Sequence, residues 1–266
     1  MKASELRHKS DLGVRGIEII AKNELVAFFR SKGLLLSQLL QPILYVVFIV
    51  IGLNSAISKV NYDNIITSYT EYAITGIIGL LIIGQMTQVI YRVTIDKKYG
   101  LLSLKLCSGV KPIYYILGMS VYSLLGLLVQ EIIIYLVSSM FGVAIPLYNY
   151  FLIILLSIVS LFFWNGIAIL ITMFINDYRR RDIVIRFFLT PLGFTAPVFY
   201  IFDSSPMVIK WFALINPLTY QLDIMRKVYF GIAELKDIAI LVIATLISLV
   251  VTSLVIPKIN LILLER

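Results

Sequence analysis

Residues 91–112, YRVTIDKKYGLLSLKLCSGVKP, form a charged segment in a chain that is otherwise mostly apolar. Five cations lie in this segment, and an apolar run long enough to cross a bilayer stands on either side of it. Four leucines give its second half an apolar side: Leu101, Leu102, Leu104 and Leu106. The pattern predicts a short amphipathic helix at the cytoplasmic surface of a membrane, where a partner protein could grip it.

The composition places the chain in a membrane. Hydrophobic residues make up 60% of it and charged residues 14%, whereas a soluble domain has about 45–50% and about 25%. The net charge of +8 would suggest nucleic acid binding in a soluble protein, but membrane topology explains it here. The single cysteine, Cys107, allows no internal disulfide, and no cleavable signal peptide is expected. We expect an all-α membrane protein with one transmembrane domain, residues 1–266.

Six transmembrane helices are expected, because six apolar segments reach the length of about 20 residues that a span needs. Pro42 should kink the first span, and Pro191, Gly193 and Pro197 interrupt the fifth. The spans cover roughly residues 34–54, 72–91, 112–143, 147–175, 183–202 and 238–256.

Residues 12–32 predict an amphipathic helix that lies in the membrane interface. Arg15, Glu18 and Lys22 occupy one side, and Glu18 precedes Lys22 by four residues, the order that favours an ion pair. The helix is too charged to span, so its basic side should face anionic headgroups. Packing against a partner protein is the alternative. The apolar side is formed by Ile17, Ile20, Ala21, Leu25, Phe28 and Phe29.

The distribution of cations predicts that both termini are cytoplasmic. Of the 23 Lys and Arg residues, 18 lie in residues 1–33, 91–111, 176–186 and 257–266. With six spans these segments share one side of the membrane, and cytoplasmic loops are enriched in Lys and Arg. We expect a multi-pass protein of the cell membrane.

Residues 204–231 are too polar to span and too apolar for an ordinary loop. Asn216-Pro217 divides this segment, because a residue before proline avoids the helical region. We expect two short helices here, as a re-entrant or surface-lying hairpin on the outer side between spans five and six. Broken backbone at membrane depth is tolerated only against protein or a watery cavity.

Two motifs, and their order along the chain, resemble the type-2 permease family of ATP-binding-cassette (ABC) exporters. Asp96-Lys97-Lys98-Tyr99-Gly100-Leu101-Leu102-Ser103-Leu104, followed by Ser108-Gly109-Val110-Lys111-Pro112 and Ile116-Leu117-Gly118, is similar to that family's loop after span two. Asn216-Pro217-Leu218-Thr219-Tyr220, with Asp223, Arg226 and Gly231, is similar to the end of its outer hairpin. The resemblance covers nearly the whole chain.

The chain also departs from that pattern. Lys97 and Lys98 stand where the family commonly has Glu-Arg or Arg-Glu pairs, and Met119 stands near a usual lysine. The hairpin motif resembles the drug and lipooligosaccharide exporters more than the O-antigen and teichoic-acid branch.

The resemblance implies a permease that moves an amphipathic drug-like, lipid or peptide substrate out of the cytoplasm or the inner leaflet. It implies two ABC ATPase subunits as partners, and a dimer with a second copy of the chain or with a paralogous permease. The alternative is a polysaccharide or glycolipid exporter of the O-antigen or teichoic-acid type. A secondary transporter and an intramembrane enzyme are the less favoured alternatives. We expect contact with membrane lipids and none with nucleic acid.

The sequence contains no motif for catalysis or nucleotide binding. It lacks the Gly-x-x-x-x-Gly-Lys-Ser/Thr loop, so ATP and Mg²⁺ are expected on the ATPase subunit, and this chain is not expected to be an enzyme. No His, Cys, Asp and Glu cluster has the spacing of metal ligands, and the only histidine, His8, lies in the polar N-terminal segment. We therefore expect no cofactor and no metal in the chain itself.

Residues 93–110 are the first candidate functional site, a cytoplasmic loop and helix that couples the ATPase to the spans. A rigid-body transition of the spans between two states needs a short, stiff segment of this kind, on which the ATPase can act. A solvated positive-inside loop is the alternative. The candidate coupling residues are Asp96, Lys97, Lys98, Tyr99, Gly100, Leu101, Leu102, Leu104 and Ser108.

Glu131 is the only carboxylate deep inside a predicted span. An ionised carboxylate at the bilayer centre costs on the order of 3 kcal/mol, so Glu131 should face protein or water. It is a candidate pathway or gate residue, and a structural hydrogen bond is the alternative. The other pathway candidates are Gln85, Gln88, Phe199 and Tyr200, and the outer-hairpin candidates are Asn216, Pro217, Thr219, Tyr220 and Arg226.

Overall fold

A computed structural model describes residues 11–54, 57, 59–143, 145–175 and 177–258 of the chain. Of the described residues, 81% are helical, and a two-stranded sheet joins two of the helices. The expectation of an all-α membrane protein is therefore confirmed. The segment that holds His8 and the tail that ends at Arg266 lie outside the described residues, so the cytoplasmic placement of both termini stays a prediction.

The first two helices follow each other with one residue between them. α1 is Arg15–Arg30 and α2 is Lys32–Leu44. α2 passes into a π-helical segment, Tyr45–Ile51, and a last turn, Gly52–Asn54. Pro42 lies three residues before the π-helical segment. The α-helix continues through Pro42, and the change of helix type lies on its C-terminal side, so the predicted kink at Pro42 stays a prediction.

A β-hairpin follows α2, and the sequence reasoning missed it. Its strands are β1, Lys59–Tyr62, and β2, Ile65–Ser68, which pair antiparallel. Asp63 and Asn64 have φ angles of 47° and 65°, and two-residue hairpin turns favour such positive values. The signal in the sequence was Asp-Asn between short runs of aromatic and β-branched residues.

α3, Tyr69–Lys98, is the central helix of the bundle. In its most apolar window 78% of the residues are buried, against 22% for the helix over Lys32–Ile51. α5, Pro112–Met140, and α6, Leu147–Met173, pack along α3. Two neighbours therefore cover the middle of α3 and shield it from the surroundings.

The last long helix is α11, Leu235–Val255, which packs on α6 and ends in one 3₁₀ turn, Ile256–Lys258. Among the described residues, five helical segments are long and apolar enough to cross a membrane. They are Lys32–Ile51, Tyr69–Lys98, Pro112–Met140, Leu147–Met173 and Leu235–Lys258.

The predicted fifth span, residues 183–202, has a different form. It contains α7, Tyr178–Val184, a π-helical segment, Ile185–Leu189, and α8, Thr190–Thr195. The helix ends at Thr195 because Ala196 is extended, as expected for a residue that precedes proline. α7 begins five residues before the predicted span, and residues 178–186 hold four arginines, of which only Arg186 lies within 183–202. The total of six spans therefore stays a prediction.

The segment between residues 196 and 234 contains two helices that meet at Asn216. α9 is Met207–Ile215 and α10 is Pro217–Tyr229, so the chain breaks at the predicted dipeptide. α10 packs against α3 and α6. The depth of these helices in the membrane stays a prediction.

Gly76 in α3 should tolerate no side chain. A Cβ atom at this position would lie 2.1 Å from the backbone oxygen of Val198. At Gly84, also in α3, a Cβ atom would have its nearest neighbour outside the local helix backbone 3.9 Å away, on the Gln41 side chain. We expect Gly76→Ala to lower the free energy of unfolding by about 1–3 kcal/mol. Gly84→Ala is the control and should be neutral or stabilising by up to about 1 kcal/mol. Unfolding by SDS in mixed micelles measures both, and equal effects would contradict the packing described.

Candidate functional site

The loop end of the bundle is the end where residues 99–111 join α3 to α5. α4, Leu101–Cys107, lies there. Gly100 has a φ angle of 69°, in the left-handed region that favours glycine, and the chain leaves α3 and enters α4 at this residue. Leu102 and Leu106 are buried against the bundle, whereas Leu101 and Leu104 are exposed. The leucines therefore divide between two faces of α4.

Asp96 joins α3, α4 and α5 at the loop end. Its carboxylate is buried and accepts a hydrogen bond from the Lys105 ammonium of α4. The Tyr115 hydroxyl of α5 donates to the same carboxylate at 2.9 Å. The second predicted span ended near Tyr91, but α3 runs on to Lys98 because these partners satisfy the charge of Asp96 inside the protein.

Glu24 joins α1 to α3, and the sequence reasoning missed it. The side chain of Glu24 is 4% exposed and accepts two hydrogen bonds from the Arg92 guanidinium, one of them at 2.8 Å. Arg92 also lies over the Tyr122 ring of α5, 4.5 Å from its centroid. Burial raises the pKa of Glu24, and the hydrogen bond from Arg92 opposes that shift.

The buried stripe of α1 corrects the predicted one. It consists of Gly16, Ile20, Glu24 and Phe28, which face α5, while Phe29 and Leu25 of the predicted apolar side are exposed. In the sequence, Glu24 stands four residues after Ile20 and four before Phe28, a spacing that places its carboxylate on their side of the helix. This spacing was not decisive, because the cation that compensates the carboxylate lies in another helix.

Lys97 binds within the chain. Its ammonium donates to the backbone oxygens of Met173 and Ile175, at the end of α6, and the second distance is 2.8 Å. Cations at a helix C-terminus are favourable because the last carbonyl groups carry partial negative charge. The Lys98 ammonium lies 3.9 Å from the centroid of the Tyr178 ring. Both lysines thus connect α3 to the segment between α6 and α7.

Three exposed side chains form what we call the apolar ridge. Tyr99 is 65% exposed, Leu101 40% and Leu104 63%. Ser108, at the end of α4, is exposed as well. Since the hydrogen bonds of Asp96 and Lys97 hold the surrounding backbone, the ridge is an exposed surface on a rigid support.

The break at Asn216 is stabilised by its own side chain. The Asn216 Oδ1 atom accepts from the Leu218 backbone N–H at 2.9 Å and caps α10. Its amide donates to the Leu192 carbonyl oxygen at 2.7 Å and to the Thr195 hydroxyl at 2.9 Å. Pro217 has no N–H to lose at the first helical position. One residue thereby ends α9, starts α10 and fixes both to α8.

Arg226 is buried at the far end of the bundle, opposite the loop end. Its guanidinium donates to the carbonyl oxygen of Pro197 at 2.8 Å and to the Thr75 hydroxyl at 3.1 Å. The same group lies 3.6 Å from the centroid of the Tyr72 ring. Arg226 therefore connects α10 to α3 and to the irregular segment after α8.

The profile of the ABC-2 type transporter family matches residues 15–230. The chain belongs to this family. The match begins with α1 and includes both the loop end and the Asn216 break. No curated protein sequence matches the chain. As an ABC-2 family member with several bilayer-length helices, the chain is a multi-pass permease component of an ABC transporter.

One of the predicted pathway residues, Gln85, lies in a polar seam inside this ABC-2 permease. The Gln85 amide of α3 donates to the Gln130 side chain of α5 at 2.9 Å, and Gln130 donates to the backbone oxygen of Gln38 at 3.2 Å. Glu131 is the next residue on α5 and is fully buried. Gln88 is half-buried on α3. The seam links α2, α3 and α5 through polar groups.

The carboxylate of Glu131 has Ser157 of α6 as its polar neighbour. Among the described residues, neither carboxylate oxygen makes a hydrogen bond of normal geometry. The backbone oxygen of Glu131 accepts from the Tyr150 hydroxyl at 2.6 Å. A fully buried carboxylate with so little compensation is unfavourable when ionised, so the local environment favours its neutral form.

Phe199 and Tyr200 lie at the far end of the ABC-2 permease. The backbone oxygen of Phe199 accepts from Tyr69 at 3.3 Å, and that of Tyr200 accepts from Tyr72 at 2.8 Å. Their described hydrogen bonds are all to far-end groups, and none joins them to Glu131. The predicted pathway residues therefore occupy two separate places.

We expect Glu24→Gln to destabilise the ABC-2 permease strongly. The substitution leaves Arg92, whose side chain is 24% exposed, without its charge partner, and breaking a buried pair costs about 3–5 kcal/mol. Asp11→Asn is the control, because the Asp11 and Lys111 side chains are 58% and 49% exposed, and exposed pairs contribute about 0–1 kcal/mol. Unfolding by SDS in mixed micelles measures both. A loss below about 1 kcal/mol for Glu24→Gln would contradict the role of this pair.

Proposed function

We propose that this chain is the membrane subunit of an ATP-driven exporter and that α4 is the handle through which separate ATPase subunits move the spans. The observation that supports this most is the apolar ridge of Tyr99, Leu101 and Leu104. Exposed apolar groups that are grouped on a helix at the surface are typical of a protein contact. Family membership supports an ABC ATPase as the partner.

The contacts beneath the ridge support a rigid coupling. Asp96 is in α3, and its carboxylate binds Lys105 of α4 and Tyr115 of α5. Lys97 binds the end of α6. A push on α4 would therefore reach three spans through buried, charge-assisted hydrogen bonds, which are the stronger class of hydrogen bond. This suits a rigid-body transition, since a soft loop would absorb the displacement.

The rest of the assembly follows from this proposal. Two ATPase subunits bind ATP and Mg²⁺, and two permease chains, identical or paralogous, enclose the pathway. The loop end and both termini face the cytoplasm, and the far end faces outward across the cell membrane. The chain acts as one transmembrane domain with six spans.

The proposed cargo is an amphipathic drug-like, lipid or peptide molecule. The hydrogen-bonded pair of Gln85 and Gln130, and separately the buried Glu131, support a pathway that accepts polar groups, because buried polar side chains in spans commonly mark such routes. A polysaccharide or glycolipid is the alternative cargo.

Leu104→Glu should abolish coupling without loss of folding. A charge on the 63% exposed Leu104 disrupts an apolar contact but meets water in the free permease. Ile66→Glu is the matched control, since Ile66 is 72% exposed in the β-hairpin. We expect the ATPase to co-purify with the wild type and with Ile66→Glu, and to be lost at least about tenfold with Leu104→Glu. Undiminished co-purification and export with Leu104→Glu would overturn the coupling proposal.

Glu131→Gln tests the pathway separately. Because glutamine has nearly the same size as the neutral glutamic acid and keeps a polar group, we expect normal membrane insertion and unfolding temperature. Because glutamine cannot release or take up a proton, a pathway role for the Glu131 carboxyl group predicts export reduced at least about tenfold. Glu18→Gln, at an exposed site on α1, should leave export unchanged. Export at the wild-type rate with Glu131→Gln would assign Glu131 a structural role.

A further inference from the structure

A cavity of about 300 Å³ opens at the far end of the bundle. Its floor includes Tyr72, Thr219 and Arg226, all buried. Its rim includes Asp63 of the β-hairpin turn and Asp203 of the segment before α9, both exposed. The cavity therefore has a cationic floor and an anionic rim.

Arg226 has capacity for an anion. The guanidinium nitrogens Nε and Nη2 make its hydrogen bonds, and all of them go to neutral acceptors. Nη1 makes none within the described part of the chain, where no ion pair joins Arg226 to a carboxylate. Asp223 lines the same cavity and attracts Arg226 electrostatically, but its ion pair is with Lys227. Since a buried cation without an ion pair of its own is unfavourable, an anion that enters the cavity gains a favourable electrostatic interaction.

Thr219 provides a second, independent polar group on the floor. It is 8% exposed, and its hydroxyl has no hydrogen-bond partner among the described residues. Buried hydroxyl groups are nearly always paired in proteins. Thr219 lines the cavity. Its hydroxyl is enclosed, and rotation about the Cα–Cβ bond brings it to an anion bound at Arg226, to which it can donate.

The rim favours a cation. Asp223 is already compensated, because the Lys227 ammonium lies 2.9 Å from its carboxylate and the Tyr62 hydroxyl donates to it. Burial raises the pKa of Tyr62, which therefore stays a neutral donor. Asp63 and Asp203 form no ion pair with any described residue, and the Lys227 ammonium, which also lines the cavity, interacts electrostatically with Asp63 while it is paired with Asp223. The Lys210 ammonium donates to the backbone oxygen of Asp203 at 2.8 Å.

α9 provides an apolar surface next to the cavity. Leu214 of α9 lines the rim. All nine residues of α9 are described, and only Ala213 is buried. The exposed apolar residues are Met207, Val208, Ile209, Trp211, Phe212, Leu214 and Ile215. In a membrane protein such a surface suits hydrocarbon chains.

We propose that the cavity binds the headgroup of a zwitterionic phospholipid, an aminoethyl phosphodiester. The phosphate binds Arg226 and Thr219, and the ammonium group binds the carboxylates of Asp63 and Asp203. The phosphate lies between the aminoethyl group and the diacylglycerol of the lipid. The aminoethyl group therefore reaches the rim, and the acyl chains pass Leu214 towards α9. A headgroup with a phosphate alone would be repelled by the carboxylates of the rim, and a simple amine would be repelled by the guanidinium of Arg226. The proposal concerns binding and is independent of ATPase coupling.

Native mass spectrometry of the purified full-length chain tests this site. The probes are short-chain phosphatidylethanolamine, which is zwitterionic, and phosphatidylglycerol, which is anionic, at equal concentration. We expect at least about tenfold more retained phosphatidylethanolamine, since recognition of the ammonium by two carboxylates is a charge-assisted interaction. An excess of free glycerophosphoethanolamine tests whether the headgroup is sufficient for binding. If it displaces the bound phosphatidylethanolamine, the headgroup alone is sufficient; if phosphatidylethanolamine stays bound, the site requires the intact lipid.

Two variants separate the two halves of the site. Thr219→Val should weaken both lipids about tenfold, because it removes one hydrogen bond to a charged group. It breaks no described hydrogen bond, so the unfolding temperature without lipid should not fall. Asp203→Asn should weaken phosphatidylethanolamine and strengthen phosphatidylglycerol. Glu18→Gln, at the exposed Glu18 of α1, is the control and should change neither.

Equal retention of the two lipids by the wild type would overturn the proposal. So would wild-type retention by both Thr219→Val and Asp203→Asn. Neither result would bear on ATPase binding at the loop end, which the Leu104→Glu experiment measures.

Discussion

A charged side chain cannot be left without compensation inside an apolar bundle, and the loop end depends on how this chain meets that requirement. Glu24 and Asp96 are both buried, and a cation from another element reaches each of them. These contacts position α1 and α4 on the central bundle. The surface that we propose for the ATPase is thus supported by ionic contacts as well as by apolar packing.

The far end meets the same requirement in another way. Arg226 is surrounded by backbone carbonyl oxygens, a threonine hydroxyl and the Tyr72 ring instead of a carboxylate. Neutral acceptors stabilise the guanidinium but leave its positive charge uncancelled. The environment of Arg226 therefore connects helices of the far end and is also electrostatically favourable for an anion. The two ends therefore differ in their chemistry, as the two roles that we propose for them require.

Hydropathy and helix-breaking residues predicted much of the fold. Five of the six predicted spans correspond to long apolar helices, and the break at Asn216-Pro217 occurs where proline required it. The errors have physical causes. α3 extends to Lys98 because Asp96 and Lys97 find partners inside the protein, which hydropathy cannot anticipate. The β-hairpin was missed because its strands have only four residues each.

The sequence by itself determined the protein class, the position of most spans and the segment at the loop end, because these depend on composition and on residues close together in the chain. Only the tertiary structure decided which leucines of α4 form the exposed ridge, and that Glu24 pairs with Arg92. It alone placed Thr219 and Arg226 in one cavity with Asp63. Such pairs are distant in sequence, and a local pattern carries no information about which distant side chain will compensate a buried charge.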